Sequence, residues 1–231
     1  MKLESLEVHT FPVRLDSRYL LHVPERVDDG SVLVLTLHGY GANPESMLRL
    51  TAGLIGDGEP LAALQAPNEH YQSAPGASAA AAYNWGIRDH WQAAVRLHHE
   101  IVLGALEVLG ERFRIPPGRC LLMGFSQSVG LNYRFAGTYP GRVGGLMGIC
   151  GGVPRDWEEE KYSNVGAPIL HISRDQDEFY PVDVTAQFAE RLRKHADDVE
   201  HHVLPGGHRF PSKAHVIARP WMARVFGSGK R

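Results

Sequence analysis

The sequence has too few cysteines and too little net charge for several classes of protein. Two cysteines among 231 residues cannot form a disulfide framework, so we expect a reduced, cytoplasmic protein. Cys120 and Cys150 are predicted to lie at opposite edges of the sheet, so we expect no bridge between them. A formal net charge of −2 gives no electrostatic reason to expect nucleic acid or an anionic membrane as a partner.

Long apolar runs are also missing. No apolar stretch approaches the roughly 20 residues that a transmembrane helix requires. The first residues carry acids and prolines rather than a basic start followed by an apolar block, so we expect neither a signal peptide nor stable membrane insertion. At this length, with 43% hydrophobic residues, the chain can bury a full core, and we predict one domain over residues 1–231.

Short apolar runs alternate with helical patterns along the chain. The apolar runs predict one or two edge strands within 6–23 and further strands at 31–37, 61–64, 120–123, 143–149, 169–172 and 200–204. Helical spacing marks 90–113, 131–138, a helix around 184–192, and 214–226. This alternation predicts an α/β domain with a mostly parallel sheet. Residues 68–86 are predicted to form a long connection, and 154–166 are too few for a cap domain.

The most informative segment is the sequence Gly-Phe-Ser-Gln-Ser at residues 124–128, between a predicted strand and a predicted helix. A serine in so tight a turn has its hydroxyl pushed clear of the sheet edge, and small neighbours are needed because strand and helix nearly touch. Ser128 stands where glycine is usual, and we expect it to be tolerated at some strain. Ser128 is also an alternative nucleophile, disfavoured because it would lie half a turn into the helix.

A serine hydroxyl needs a base to take its proton, and the base needs a carboxylate to fix its tautomer. Ser126, Asp177 and His208 occur in the chain order of α/β-hydrolases. They follow predicted strands, and sites in parallel sheets lie beyond the carboxyl ends of the strands. The backbone amides of Tyr40 and Gln127 are the candidate donors to an oxyanion.

Several motifs in this order resemble the phospholipase/carboxylesterase family, which includes acyl-protein thioesterases and small bacterial carboxylesterases. They are Leu37-His38-Gly39-Tyr40-Gly41, Ala66-Pro67-Asn68, Trp85, Gly124-Phe125-Ser126-Gln127, the Asp-x-Asp loop before Pro181, and Gly207-His208. The resemblance implies a three-layer α/β-hydrolase fold, with helices on both faces of the sheet and no cap domain. It also implies Ser126 as nucleophile, Asp177 as acid, His208 as base, and Tyr40 and Gln127 as oxyanion amides. Asp175 is the alternative candidate for the acid, but the number of residues between Asp177 and Pro181 matches the family pattern.

Other polar and aromatic residues have less specific interpretations. Trp85, Tyr40 and Tyr180 are predicted walls for the acyl or alcohol group of a substrate. His98-His99 and His201-His202 are adjacent pairs whose side chains point in different directions, so we expect no metal site and no cofactor. His38 and His171 are predicted to be packed, hydrogen-bonded histidines.

These features favour a serine carboxylesterase that hydrolyses small carboxylic esters or thioesters through an acyl-enzyme on Ser126. A lysophospholipase or acyl-protein thioesterase is the alternative within the same chemistry, and the lack of an amphipathic membrane-binding stretch weakens it. A second hypothesis is a hydrolase-fold binding protein without turnover, motivated by Ser128 and by Glu178-Phe179-Tyr180 after the acid. The expected partner is a small-molecule ester, and the sequence leaves a homodimer open.

Overall fold

The computed structural model of the chain describes residues 7, 9–72 and 81–227. Its strands are β1 (Tyr19–His22), β2 (Leu33–Leu37), β3 (Leu61–Leu64), β4 (Asn68–Tyr71), β5 (Ala81–Asn84), β6 (Cys120–Phe125), β7 (Gly145–Ile149), β8 (Ile169–Arg174) and β9 (Val199–Leu204). Its α-helices are α1 (Pro44–Ile55), α2 (Trp91–Phe113), α3 (Gln127–Thr138), α4 (Val182–Thr185), α5 (Phe188–Leu192) and α6 (His215–Phe226).

The main sheet has the strand order β1-β3-β2-β6-β7-β8-β9. Strand β1 is antiparallel to β3, and every other pair in this sheet is parallel. From β2 the chain first moves outward to β3 and then returns to β6 on the other side, so the direction of winding reverses between β2 and β6. In such sheets the ligand crevice lies beyond the strand ends at this reversal. The sequence prediction of a mostly parallel sheet is confirmed.

Apolar side chains fill both faces of this sheet. On one face, Leu35 belongs to a core that includes Val102 of α2. On the other face, the neighbouring residue Val34 belongs to a core with Met47 of α1 and Trp221 of α6. All five residues of β2 are buried, which explains why the strand consists of leucine and β-branched residues. Helices therefore cover both faces in three layers, as the sequence predicted.

Helix α1 was not predicted by the sequence patterns considered above, although its start has a clear local signal. Asn43 accepts a hydrogen bond from the Ser46 backbone N–H at 2.9 Å and acts as the N-cap. Pro44 follows at the first helical position, where its missing N–H has no consequence. An Asn-Pro pair after a glycine loop could therefore have identified this helix.

The predicted long connection over 68–86 contains regular structure. Strands β4 and β5 pair antiparallel in a separate two-stranded sheet, while residues 73–80 lie outside the described residues. Strand β4 reads Asn-Glu-His-Tyr and is mostly exposed, so it lacks the apolar alternation by which strands are recognised. The single helix expected around 184–192 is also different, because it is divided into α4 and α5.

Residues 150–168, between β7 and β8, contain turns but no helix or strand, in agreement with the expectation of no cap domain. Cys120 begins β6 and Cys150 follows β7, so the two lie at opposite ends of neighbouring parallel strands. Both are free and buried, and burial raises the pKa of each thiol to about 12. In the part of the chain that the structure describes, none of the helices has the length and apolar character needed to cross a bilayer.

Candidate active site

Ser126 is the single residue between strand β6 and helix α3. Its backbone has φ 56° and ψ −114°, a conformation that residues with a side chain rarely adopt. The turn is closely packed, since a β-carbon at Gly39 would lie 3.0 Å from that of Ser126 and one at Gly124 would lie 2.8 Å from Asn132 Nδ2. Small residues at these positions therefore allow the tight turn that presents the Ser126 hydroxyl at the carboxyl edge of the sheet.

The structure brings Ser126, His208 and Asp177 into one hydrogen-bonded chain. His208 Nδ1 lies 2.9 Å from Asp177 Oδ2, and His208 Nε2 lies 2.8 Å from Ser126 Oγ. Because a carboxylate only accepts, Nδ1 carries the proton and donates it to Asp177. Nε2 is then the acceptor for the serine hydroxyl. This is the tautomer in which imidazole can remove a proton from serine.

Asp177 and Asp175 have different partners. Asp177 is 3% exposed, and its Oδ1 accepts the backbone N–H groups of Phe179 at 2.9 Å and Tyr180 at 3.0 Å. These bonds fix the carboxylate with its other oxygen toward His208. Asp175 Oδ1 instead accepts the Gly206 N–H at 2.7 Å and closes the neighbouring loop. Of the two acids that the sequence offered, the structure places Asp177 against the histidine.

Aromatic rings surround His208 on several sides. The Phe179 ring centroid lies 4.7 Å from that of the imidazole in an edge-on arrangement, and Phe125 and Tyr180 lie at 5.5 and 5.9 Å. Glu178 Oε2 accepts the His208 backbone N–H at 3.0 Å. Hydrogen bonds from the backbone of Glu178 itself and of His208 lower the pKa of this carboxyl. Sequence reasoning gave Phe125 no role in the site and used Glu178 and Phe179 only to motivate the binding-protein hypothesis. Their adjacency to Ser126 and Asp177 was the available signal.

The two predicted oxyanion donors lie at the ends of neighbouring strands. Gln127 is the first residue of α3, and Tyr40 is in the turn after β2. Neither backbone N–H has a hydrogen-bond acceptor within the described ranges. The turn at Tyr40 is held by the small sheet, because the Gly41 N–H donates to Tyr83 O at 2.9 Å. Both amides are thus free to donate to a ligand near Ser126.

The Gln127 side chain fixes the start of α3. Its Oε1 accepts the Trp85 N–H at 3.0 Å, and its Nε2 donates to Gly86 O at 2.8 Å. One amide group therefore uses both its donor and its acceptor on consecutive residues after β5. This clamp joins the turn at Ser126 to the β4–β5 sheet.

The prediction that Trp85 forms a wall of the substrate site is wrong. Trp85 is fully buried, and its Nε1 donates to His38 O at 2.8 Å beneath the glycine loop. It supports that loop from below and has no surface to offer a substrate. Tyr40 is 60% exposed, and Tyr180 is half-buried beside Gly152, so both remain available as site walls.

Ser128 is fully buried within α3. Its Oγ accepts the Phe125 N–H at 3.1 Å and lies 2.8 Å from Leu37 O. A buried hydroxyl engaged in this way cannot reach a substrate, which excludes the alternative nucleophile. The expected strain at Ser128 is not found either, because the left-handed φ belongs to Ser126.

Four further histidines are buried: His38, His98, His99 and His171. His38 donates from Nδ1 to Gly39 O at 2.8 Å and accepts the Ala66 N–H at 3.2 Å. His98 contacts Asn132 Oδ1 at 3.1 Å, and burial lowers the pKa of His98 to about 3 and that of His99 to about 4. Burial likewise lowers the pKa of His171 to about 3. Within residues 9–72 and 81–227, no group of three or more histidine, cysteine or acidic side chains is arranged to hold a metal ion.

The parallel sheet between two layers of helices, the turn at Ser126 and the hydrogen-bonded chain Ser126–His208–Asp177 together define an α/β-hydrolase fold. Residues 81–221 match the model of the phospholipase/carboxylesterase family, and the chain belongs to that family of esterase-type hydrolases. This range includes Ser126, Asp177 and His208. No curated protein sequence matches the chain significantly.

Solved structures with the same fold include a carboxylesterase from Bacillus cereus, at 14% identity and a TM-score of 0.71 over 90% of this chain and 94% of that one. Esterase PE8 matches at 22% identity and a TM-score of 0.69 over 92% of this chain and all of that one. A phospholipase/carboxylesterase from Dyadobacter fermentans matches at 19% identity and a TM-score of 0.69, covering 89% of this chain and 95% of that one. At these identities the similarity establishes the fold.

Proposed function

We propose that the protein is a serine carboxylesterase that hydrolyses small carboxylic esters or thioesters through an acyl-enzyme on Ser126. The observation that carries the proposal is the continuous chain from Ser126 Oγ through His208 to the buried Asp177 carboxylate. The free amides of Tyr40 and Gln127 support it. A binding protein without turnover would have no physical need for this arrangement.

The first half of the reaction acylates the serine. Ser126 Oγ attacks the carbonyl carbon of the substrate while His208 Nε2 takes its proton, and Asp177 stabilises the imidazolium that forms. The negative charge moves to the former carbonyl oxygen, where the Tyr40 and Gln127 N–H groups can donate to it. The bond to the alcohol or thiol then breaks, and His208 returns its proton to that leaving group.

The second half releases the acid. A water molecule gives a proton to His208 Nε2 and attacks the acyl carbon, forming a second oxyanion at the same place. Collapse of this intermediate breaks the bond to Ser126 Oγ, which recovers its proton from His208. The products are the carboxylic acid and the free enzyme, and every proton that moves passes through Nε2.

Covalent labelling with a fluorophosphonate tests the proposal, because this reagent phosphonylates an activated serine. We expect the wild-type protein to be labelled and Ser126→Ala to remain unlabelled. Ser128→Ala tests the alternative nucleophile and should still be labelled at long reaction times, since Ser126 is still present. Wild-type protein that stays unlabelled beside a reactive esterase, or a Ser126→Ala protein that is labelled, would contradict the mechanism.

The substrate walls are proposed to include the Phe179 and Tyr180 rings, which lie beside His208, and the exposed ring of Tyr40 in the glycine loop. Rings at this position favour apolar acyl or alcohol groups. Activity on p-nitrophenyl esters of increasing chain length, with a matched acyl thioester, measures the preference. A maximum at short esters supports the carboxylesterase, whereas a maximum at long acyl chains or thioesters supports the lysophospholipase or acyl-protein thioesterase alternative.

A further inference from the structure

Ser128 connects strands β2 and β6 where both strands end. These strands pair in parallel with Leu37 opposite Gly124. Just beyond this pair, the Phe125 N–H donates to Ser128 Oγ at 3.1 Å, and Ser128 Oγ lies 2.8 Å from Leu37 O. Phe125 O also lies 3.1 Å from the Ser128 hydroxyl. Because the hydroxyl has a single proton, we assign its donation to the shorter contact, with Leu37 O. The hydroxyl thus acts as an additional link in the ladder between the strands.

Glycine, the residue expected at this position in the family, could not make this link. Ser128 is fully buried, so glycine would remove one hydrogen-bond partner from the Phe125 N–H and one from the Leu37 carbonyl where solvent does not reach. The fit is close, since a β-carbon on Gly124 would lie 2.9 Å from Ser128 Oγ. Ser128 therefore belongs to helix α3, but its side chain is hydrogen-bonded to the ends of two strands.

The two backbone positions that Ser128 joins lead directly to the proposed oxyanion donors. Leu37 precedes Tyr40 by three residues, and Phe125 precedes Gln127 by two. An oxyanion site works when its donors are held at fixed positions before charge develops, because no reorganisation is then needed. A link between these two strand ends fixes the position of one donor relative to the other.

We propose that Ser128 is a positioning residue for the oxyanion site, and that its hydroxyl holds the Tyr40 amide in register with the Gln127 amide. The inference rests on the proposed esterase function. It assigns a role in turnover to the residue by which this chain departs from the glycine of its family.

The variants Ser128→Ala and Ser128→Gly remove the hydroxyl. We expect kcat for p-nitrophenyl acetate to fall about tenfold, less than the roughly 100- to 1000-fold that follows complete loss of a donor. KM should stay within about twofold, because the oxyanion forms only after binding. The inhibition constant of a trifluoromethyl ketone, which forms an oxyanion on Ser126, should rise about tenfold with the loss in kcat.

Thr36→Val is the matched control. Thr36 lies next to Leu37 in β2, and its Oγ1 is 2.9 Å from Thr51 Oγ1 of α1, with both residues fully buried. The substitution removes a buried hydroxyl from the same strand without touching either strand end at the site. Its melting temperature should fall, while kcat and the ketone inhibition constant should keep their wild-type values. All assays are run below the lowest melting temperature of the set.

Ser128→Ala and Ser128→Gly proteins that keep wild-type kcat and ketone inhibition would overturn the inference, as would an equal loss in Thr36→Val. If Ser128→Ala fails to fold, the Ser128→Gly protein decides. Failure of both to fold would show a folding requirement and would also overturn the positioning role. A wild-type protein that neither hydrolyses esters nor reacts with fluorophosphonate would instead overturn the proposed function and this inference with it.

Discussion

Asp175 and Asp177 lie two residues apart, yet their carboxylates meet different partners. Asp177 receives two backbone N–H groups on one oxygen and His208 on the other, whereas Asp175 receives the Gly206 N–H. The difference follows from the turn after β8, which directs the first acid along the loop and the second beneath the histidine. Residue type alone therefore does not separate the two roles.

Asp177→Asn should lower kcat by about a thousandfold or more, because an amide can donate to His208 Nδ1 and leave the proton on Nε2, where it blocks the serine. Asp175→Asn should change kcat less than tenfold, since its side-chain oxygen can still accept the Gly206 N–H. The measurement is the initial rate of p-nitrophenyl acetate hydrolysis at neutral pH. A larger loss in Asp175→Asn than in Asp177→Asn would reverse the assignment.

Two glycines illustrate how the same residue type serves different needs at the scale of elements. A β-carbon at Gly151, after β7, would meet the Val129 side chain and lie 2.6 Å from Ser126 O, so Gly151 permits α3 to begin against the next strand. A β-carbon at Gly53, within α1, would have no heavy atom within 4 Å. The first glycine is required by packing, and the second only weakens its helix.

Gly151→Ala should therefore destabilise the protein by about 1–3 kcal/mol and lower kcat, because α3 and Ser126 must shift to make room. Gly53→Ala should stabilise the protein by about 0.5–1 kcal/mol and leave kcat unchanged. Urea unfolding, followed by circular dichroism, measures both changes in the free energy of unfolding. Equal effects of the two substitutions would show that the start of α3 does not depend on Gly151.

Regular elements were predictable where a single segment carries its own pattern. The apolar runs of β2, β3 and β6 and the long helix α2 were found within a few residues of their observed bounds. The β4–β5 sheet was not predicted, because β4 is polar and the two strands pair with each other and with the Ala42 loop rather than with the main sheet. Its stability depends on partners distant in sequence.

Across the whole molecule, the buried histidines couple stability to pH. The pKa values of His98 and His171 are lowered to about 3 and that of His99 to about 4, mainly by burial. Below an ordinary histidine pKa of about 6.5, the unfolded chain binds protons at these positions and the folded chain does not. Stability from these groups is therefore complete above pH 6.5 and is lost as the pH falls.

We expect the free energy of unfolding to decrease between pH 6.5 and 5, with each of these histidines contributing a limiting slope of about 1.4 kcal/mol per pH unit. Urea unfolding at closely spaced pH values provides the slope. His99→Phe should remove about one histidine's share, because phenylalanine keeps contacts with neighbouring rings but does not titrate. Constant or rising stability toward pH 5 would contradict the burial of neutral imidazoles.

The sequence by itself determined the parallel strands of the main sheet, the turn at Ser126, and the succession of Ser126, Asp177 and His208, because each depends on local patterns or short motifs. Only the tertiary structure decided which acid faces His208, that Trp85 lies beneath the glycine loop, and that Ser128 joins Leu37 across 91 positions of the chain. These outcomes depend on which backbone groups become neighbours after folding. Residue type limits the hydrogen bonds that a side chain can make, but its distant partners are brought to it by the packing of the sheet.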